Sequence, residues 1–332
     1  MPERVPVATR GPLWPAVLLL AAFSAVGLCA PLLATDQPLL ARVDGRLRAP
    51  ALAELPLVGV LFARHDLGTL RGRTPPPTVQ TILRAPVPHS YRGIFLDQAL
   101  RRPDRHHPLG TDALGRDLLA RMIHGTRPSL VVGLGATLLA LLFGGLLGAL
   151  AGLRGGLPDL LILRAVEVLS CFPPFILTLA IVSAAGGGGL LPMIAAIAVS
   201  RATSMTRYVR GEILRRRGED LWDAARATGA SLPRLTVVHL LPLLARPLAV
   251  LTTFSVAHAI LLESGLSFLG LGVEPPAPSW GGILAEARGT LDAAWWPVVF
   301  PAAALLIVLG TLSFAGERAT ARGGGEQEGD AA

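Results

Sequence analysis

Long apolar runs constrain the fold of this chain more than any other feature of its sequence. A helix needs about 20 mostly apolar residues to cross a hydrocarbon core that is about 30 Å thick. Such runs predict membrane spans at residues 13–34, 129–152, 160–184, 189–208, 241–271 and 295–315. We therefore predict an all-α membrane protein with six transmembrane helices.

The sparse charges predict how these spans are oriented. Only 16% of the residues are charged, whereas soluble domains have about 25%. All 30 basic residues are arginine, and short connections on one side of the predicted membrane carry Arg10, Arg154, the cluster from Arg207 to Arg217, and Arg318. The positive-inside rule places that side and both termini in the cytoplasm. A long loop is translocated largely regardless of its charge, so residues 35–128 are predicted to lie outside.

These predictions divide the chain into four parts. Residues 1–34 form a cytoplasmic tail and the first helix, which is longer than the apolar core of a typical cleaved signal peptide. Residues 35–128 form a long extracytoplasmic loop. Residues 129–315 form a five-helix core with a cytoplasmic loop at 210–241, and residues 316–332 form a cytoplasmic tail.

Small residues and prolines predict how the spans pack and bend. Small side chains let membrane helices approach closely, and the second span contains Gly144, Gly145, Gly148, Ala149 and Gly152. Pro173 and Pro174 are expected to kink or break the third span.

The sequence disfavours several classes of function. A phosphate-binding loop needs a lysine that reaches the terminal phosphates, and the chain contains no lysine, so no ATPase activity and no cofactor are expected on this chain. Arginines scattered over loops do not form the basic face of a nucleic-acid-binding domain. A membrane-embedded metal hydrolase remains an alternative, because His106 and His107 with Asp112 and Asp117 offer zinc-binding side chains. The other interpretation is a polar loop that precedes the second span.

Charged groups inside spans raise a second alternative. Arg164 and Glu167 are three residues apart and are expected to pair on one helix face. His258 and Glu263 could instead form a proton relay, which would make the protein an ion-coupled secondary transporter. Glu263 is expected near the outer end of its span, where water would reach it.

The sequence of the cytoplasmic loop between the fourth and fifth spans predicts two short helices joined by a turn. Asp223, Ala224 and Ala225 are followed by Gly229, which suits the left-handed end of a helix. A compact segment with small side chains fits a docking element for another protein. A plain connection between spans would have the same features.

Three motifs resemble those of one transporter family. The spacing of Asp223, Ala224, Ala225, Gly229, His239 and Pro242 resembles the E-A-A-x-x-x-G loop of ABC importer permeases, with Asp223 in the place of the usual glutamate. The segment before the second span resembles dipeptide and oligopeptide permeases at His107, Gly110, Thr111, Asp112, Gly115, Arg116 and Asp117. The end of the fifth span resembles the same family at Glu263, Ser267, Phe268, Gly270, Gly272 and Trp280.

This resemblance implies the fold, the partners and the mechanism. It implies a type I ABC importer permease bundle of the MetI-like kind in the cell inner membrane. The implied partners are a second, homologous permease in a heterodimer, two ATP-binding subunits that carry ATP and magnesium, an extracytoplasmic solute-binding protein, and membrane lipid. Peptides are the implied cargo, with nickel as a variation in the family, and transport would occur by alternating access without covalent chemistry on this chain.

Overall fold

The structure is a computed structural model, and it describes residues 14–43, 46–49, 51, 79–217 and 241–329. The described helices are α1 (Trp14–Leu28), α2 (Ala30–Leu33), α3 (Leu118–Arg154), α4 (Gly156–Ser170), α5 (Pro174–Ala184), α6 (Leu190–Arg217), α7 (Leu241–Phe268), α8 (Trp280–Ala287) and α9 (Trp296–Gly329). The architecture is therefore mostly helical, as predicted.

Three or four membrane spans are accounted for among the described residues. Helix α3, residues Pro247–Phe268 of α7 and residues Trp296–Ala319 of α9 are each long and apolar enough to span a membrane. Helices α4 and α5 qualify together as one span that bends by 91°, and the break falls at the predicted pair Pro173 and Pro174. The apolar part of α1, Val17–Leu28, is shorter. The count of six spans therefore stays a prediction.

Helices α3 and α6 pack closely in parallel along a row of glycines. A Cβ atom added at Gly144 would lie 2.7 Å from the carbonyl oxygen of Ala202, and one added at Gly148 would lie 2.6 Å from that of Thr206. A Cβ atom at Gly152 would lie 3.0 Å from the Cβ of Ile213. The prediction that small residues bring helices together is thus confirmed for these three glycines. Gly145 faces away, with nothing within 4 Å of an added Cβ.

Helix α7 runs antiparallel to α3 and packs against both α3 and the last helix, α9. Its packing partners include α9 and α8, and buried side chains from all four helices form one cluster that contains Leu118, Ile260, Ile283, Trp296 and Leu312.

We call the end of the bundle that contains residues 93–117 and 269–295 the motif end. The opposite end, with Arg154 and Arg217, is called the arginine end.

A small β-sheet departs from the all-α prediction. Strands β1 (Leu40–Val43), β2 (Arg46–Arg48) and β3 (Val79–Leu83) form an antiparallel sheet in the order β2-β1-β3, with Ala41 opposite Arg48. These strands are only three to five residues long, so they offer little alternating pattern to distinguish them from a loop. The sheet lies within the segment predicted as a long extracytoplasmic loop.

Candidate functional site

The motif before the second span is held to the start of α3 by Asp117. One carboxylate oxygen of Asp117 accepts a hydrogen bond from the backbone N–H of Ala120 at 2.7 Å, which caps the helix. The other oxygen lies 2.8 Å from Nδ1 of His107, whose Nε2 lies 3.0 Å from Oε1 of Gln98. His107 and Asp117 are both buried. The histidine therefore links the loop before α3 to the start of that helix.

Backbone geometry explains the glycines and the threonine of this motif. Gly110 and Gly115 have φ angles of +77° and +70°, which glycine adopts without strain. Neither has room for a side chain, because an added Cβ at Gly110 would lie 2.7 Å from Nε1 of Trp296. The same indole Nε1 donates to the carbonyl oxygen of Thr111 at 2.9 Å. The loop is thus shaped to fit against the start of α9.

A buried charge network connects the same motif to α8. Asp112 accepts hydrogen bonds from Nε of Arg116 at 2.7 Å and from Arg121 at 2.5 Å. Arg121 also donates to Glu286 of α8 at 2.6 and 3.0 Å, and Arg116 donates to Glu286 as well. Only 4% of the Arg121 side chain is exposed. Sequence reasoning named neither Arg121 nor Glu286, and no local pattern marks two positions that are so far apart in the chain.

The second motif is centred on Glu263, and its environment corrects the sequence-based expectation. Glu263 was expected to be reached by water, but it is completely buried. Its carboxyl group receives hydrogen bonds from the hydroxyls of Ser129 at 3.0 Å, Ser267 at 2.8 Å and Ser264 at 3.3 Å. These four side chains join α3 to α7 near the motif end. The hydrogen-bond partners of Glu263 are thus neutral hydroxyl groups.

The remaining residues of the second motif shape the turn that leads to α8. Gly270 has a φ angle of +84°, and a Cβ at Gly272 would lie 2.0 Å from Oγ of Ser267. The guanidinium of Arg288 stacks 4.0 Å from the ring centroid of Phe268. Trp280, at the start of α8, donates from Nε1 to the carbonyl oxygen of Met122 in α3 at 3.0 Å. The two motifs are therefore parts of one packed unit, although about 150 residues separate them in the sequence.

The four side chains weighed as a zinc-site alternative do not form one set of ligands, because His107 and Asp117 lie side by side but His106 and Asp112 are not grouped with them. Asp112 is held by arginines, and the backbone N–H of His106 donates to Asp104 at 2.8 Å. A different group, His89, His107 and Asp117, brings its possible ligand atoms within 4.8 Å of one another, beside a cavity of about 470 Å³. These groups already bond to protein atoms, since His89 Nε2 lies 3.0 Å from the carbonyl oxygen of His106. The arrangement is that of a satisfied polar cluster.

The turn before this cluster is held by a carboxylate. Asp104 accepts hydrogen bonds from the backbone N–H groups of His107 at 2.7 Å and of His106 at 2.8 Å. The bond from His107 in particular lowers the pKa of Asp104 below its usual value, because it stabilises the charged form. The turn is therefore stabilised by a carboxylate that is ionised at neutral pH.

The second alternative rested on Glu263, whose surroundings are described above, and on His258. His258 is exposed on α7, and its Nδ1 lies 2.9 Å from the carbonyl oxygen of Phe254 in the preceding turn. Its hydrogen bond thus stays within its own helix.

The predicted pair of Arg164 and Glu167 is confirmed, with a distance of 3.0 Å between nitrogen and oxygen, and both side chains are exposed.

Two arginines of α6 hold this helix to its neighbours at the arginine end. Arg210 of α6 forms two hydrogen bonds to Asp159 of α4, at 2.5 and 2.6 Å. Arg217 donates to the carbonyl oxygen of Gly152 at 2.8 Å. The predicted docking residues Asp223, Ala224, Ala225, Gly229 and His239 lie outside the described residues, and Pro242 lies in the first turn of α7.

Comparison with known families decides what kind of protein this is. The family described as "Binding-protein-dependent transport system inner membrane component" matches residues 144–322, which is more than half of the chain. The chain belongs to this family. The membership that the motifs predicted is thereby confirmed, and the chain is a permease of an ABC importer in the inner membrane.

Named relatives of this permease transport peptides. The "Di/tripeptide transport system permease protein DppC" of Pseudomonas aeruginosa is 40% identical over 209 residues, which cover 63% of this chain and 69% of that protein. The "Dipeptide transport system permease protein DppC" of Alkalihalophilus pseudofirmus is 36% identical over 220 residues, which cover 66% and 72%.

A solved structure shows the same fold. An inward-facing structure of the MetNI methionine ABC transporter matches with a TM-score of 0.53 and 20% identity, over 62% of this permease and 97% of that chain. At this identity the similarity supports the MetI-like fold alone. The fold prediction is thus confirmed at the level of the helical permease architecture.

Proposed function

We propose that this permease moves dipeptides or short oligopeptides into the cytoplasm across the inner membrane. The observation that carries the proposal is the similarity, at 36% to 40% identity, to permeases whose names specify dipeptide and tripeptide transport. The motifs that resemble peptide permeases also pack together as one unit at the motif end. Two independent features of the chain therefore support the same cargo class.

The proposed transporter contains several further subunits. A second, homologous permease would complete the membrane pathway, two ATP-binding subunits would bind ATP and magnesium, and an extracytoplasmic solute-binding protein would deliver the peptide. The absence of lysine from the chain supports the separation of ATP hydrolysis from this subunit. We propose that the motif end faces outward, toward the solute-binding protein, and that the arginine end is cytoplasmic.

The cytoplasmic loop is proposed to couple ATP hydrolysis to transport. It connects α6 to α7, and the two helices pack against each other beside α3, where Leu244 contacts a cluster with Val209 and Ile213. Arg217 is held to the end of α3 by its hydrogen bond to Gly152. A displacement of the loop would therefore reach three helices at once. Such a displacement would switch the bundle between outward-open and inward-open packings.

Two substitutions in the loop and one control substitution in α6 test the coupling role. Gly229→Val should abolish peptide uptake while the permease still reaches the membrane, because the sequence predicts a left-handed helix end at Gly229, where a β-branched residue would be strained. Ala225→Trp should act in the same way by steric exclusion of the ATPase. Gly211→Val is the matched control, since an added Cβ at Gly211 meets nothing within 4 Å. Normal ATPase association and uptake in both loop variants would refute the coupling role.

Ion-coupled transport was the alternative, and the site gives it little support. Glu263 is surrounded by serine hydroxyls, and His258 bonds within its own helix. Uptake of a labelled dipeptide into proteoliposomes that contain all subunits discriminates the two mechanisms. The proposed function requires ATP and the solute-binding protein. Uptake driven by an ion gradient without ATP would overturn it.

The proposed orientation has its own test. In a variant without Cys29 and Cys171, a cysteine at Ser90 should react with an impermeant thiol reagent added from outside, whereas one at Ser231 should not. The reverse pattern of labelling would overturn the orientation.

A further inference from the structure

Arg201 is a half-buried charge of the bundle that has no carboxylate partner among the described residues. It is eleven residues after Leu190, the first residue of α6, which places it about 16 Å along the helix at 1.5 Å per residue. Leu190 follows Gly189, whose N–H donates to Gly272 at the motif end. The distance of Arg201 from the motif end is thus about half the thickness of a hydrocarbon core, which is about 30 Å.

The hydrogen bonding of Arg201 is incomplete. One terminal nitrogen of the guanidinium donates to the hydroxyl of Ser255 in α7 at 3.2 Å. The Nε atom is buried and has no acceptor among the described residues. No described carboxylate forms an ion pair with Arg201, whereas Arg121 and Arg210 each pair with a nearby aspartate. A buried donor without an acceptor is costly, so this guanidinium is suited to bind an anion.

Two buried hydroxyls of α3 and α6 also lack partners. Oγ1 of Thr137 in α3 and Oγ of Ser200 in α6 are buried without a hydrogen bond in the described part of the chain. Ser200 is next to Arg201, whereas Thr137 lies about one helical turn nearer the motif end, because Gly135 lies beside Ile194 and Gly144 lies beside Ala202. Buried polar groups in native structures normally have hydrogen-bond partners. The surroundings of Arg201 in this chain are therefore incompletely hydrogen-bonded.

The position of Arg201 excludes the membrane lipid as that occupant. Ser255 precedes Glu263 by eight residues and so lies about 12 Å farther from the motif end, which is too deep for a lipid headgroup from that side. A charge that faces the acyl chains is strongly disfavoured, and arginines inside spans face the protein interior or a polar path. Arg201 is half-buried. The exposed part of its side chain therefore remains open to a polar group from outside the chain.

We propose that Arg201 binds the terminal carboxylate of the peptide as it passes through the membrane. The inference rests on the proposed function, because a dipeptide or tripeptide necessarily carries this anion. The planar guanidinium presents several N–H donors in a geometry that matches a carboxylate. Ser255 holds one donor and leaves the others for the cargo. The peptide would accordingly pass this level with its carboxyl end toward this subunit.

Uptake measurements test the proposal with a matched arginine. Arg207 lies on the same helix and also donates to a serine hydroxyl, that of Ser170 at 3.0 Å, but it is exposed and closer to the arginine end. In proteoliposomes with all partner subunits, Arg201→Met should lower the maximal rate of alanyl-alanine uptake by about tenfold or more, since hydrogen bonds between charged groups are worth a factor of this size. Arg207→Met should change the rate less than about twofold, and Arg201→Lys should restore part of it.

A second measurement removes the solute-binding protein, which itself recognises the peptide. In the complex without Cys29 and Cys171, a cysteine replaces Ser204, which lies three residues after Arg201 on the same helix face. Millimolar alanyl-alanine should slow the reaction of this cysteine with a small thiol reagent. Alanyl-alanine amide, which lacks the carboxylate, should protect much less, and Arg201→Met should abolish the difference.

The possible outcomes separate this proposal from the others. Normal uptake in Arg201→Met, or equal protection by the two peptides, would overturn the carboxylate site while the proposed function stands. Loss of the second permease from the purified Arg201→Met complex, without any protection by peptide in the unaltered chain, would show an ion pair between subunits and also overturn it. A wild-type transporter that takes up no dipeptide would refute the proposed function and, with it, this inference.

Discussion

Replacing Gly148 with alanine should force α3 and α6 apart. The added Cβ would lie 2.6 Å from the carbonyl oxygen of Thr206 and 2.9 Å from the Cβ of Val209. Non-bonded carbon atoms are most stable about 3.5 to 4.0 Å apart, so the helices would have to separate by roughly 1 Å. Overpacking of a tight interface typically costs about 1–3 kcal/mol. Because α6 leads into the coupling loop, transport should fall as well.

Gly145 offers a control one residue away. An added Cβ there meets nothing within 4 Å, and alanine is a better helix former than glycine by about 1 kcal/mol. Because both variants gain this helix propensity, they should differ by the overpacking cost of about 1–3 kcal/mol in the free energy of unfolding. The assay is the apparent midpoint of thermal unfolding of the purified protein at one scan rate, since membrane proteins often unfold irreversibly. Equal midpoints for Gly148→Ala and Gly145→Ala would refute the argument from helix packing.

Three pairs of substitutions are compared by the same thermal assay. Arg121→Met leaves the buried Asp112 with Arg116 as its remaining ion-pair partner, so it should destabilise the protein by about 1–3 kcal/mol. Arg164→Met breaks an exposed pair and should cost less than about 1 kcal/mol; similar losses would contradict the role of burial. Glu263→Ala should lower the free energy of unfolding by about 1–3 kcal/mol, because it leaves serine hydroxyls unsatisfied. Glu263→Gln should lower it less. The reverse order would count against the hydrogen-bonded cluster. Trp296→Phe should lower the free energy of unfolding by about 1 kcal/mol, because it removes the hydrogen bond to Thr111. Trp295→Phe, at an exposed side chain, should be nearly neutral. Equal unfolding midpoints for the two variants would show that this hydrogen bond is unimportant.

The sequence predicted the helices and the residues of the motifs better than it predicted their contacts. Apolar runs located α3 and α9 because a membrane-spanning helix needs a long, nearly uncharged segment. The break at Pro173 was also predictable, since proline cannot continue a helix without losing a hydrogen bond. Short strands such as Leu40–Val43 carry too little pattern, and the sheet was missed.

The contacts of the site depend on pairs that are distant in the chain. Glu263 is shielded by Ser129, which precedes it by 134 residues, so no local pattern could indicate its burial. Arg121 and Glu286 are separated by 165 residues. For the metal alternative, His106 and Asp112 offered suitable ligand types at a spacing that matched no specific ligand pattern, and the loop turns these residues toward other partners. Composition and motifs thus identify the family, while tertiary packing determines which charges are satisfied.

The bond between Arg121 and Glu286 has a consequence for protein engineering and for variation among related permeases. This bond fastens the first turn of α3 to the helix after α7, and Arg116 of the preceding loop bonds to the same glutamate. A chimera that imports residues 93–121 from a relative should therefore also import residues 280–296. A graft of the first segment alone would leave Glu286 and Trp296 facing unmatched surfaces. The two segments should therefore be exchanged as one unit.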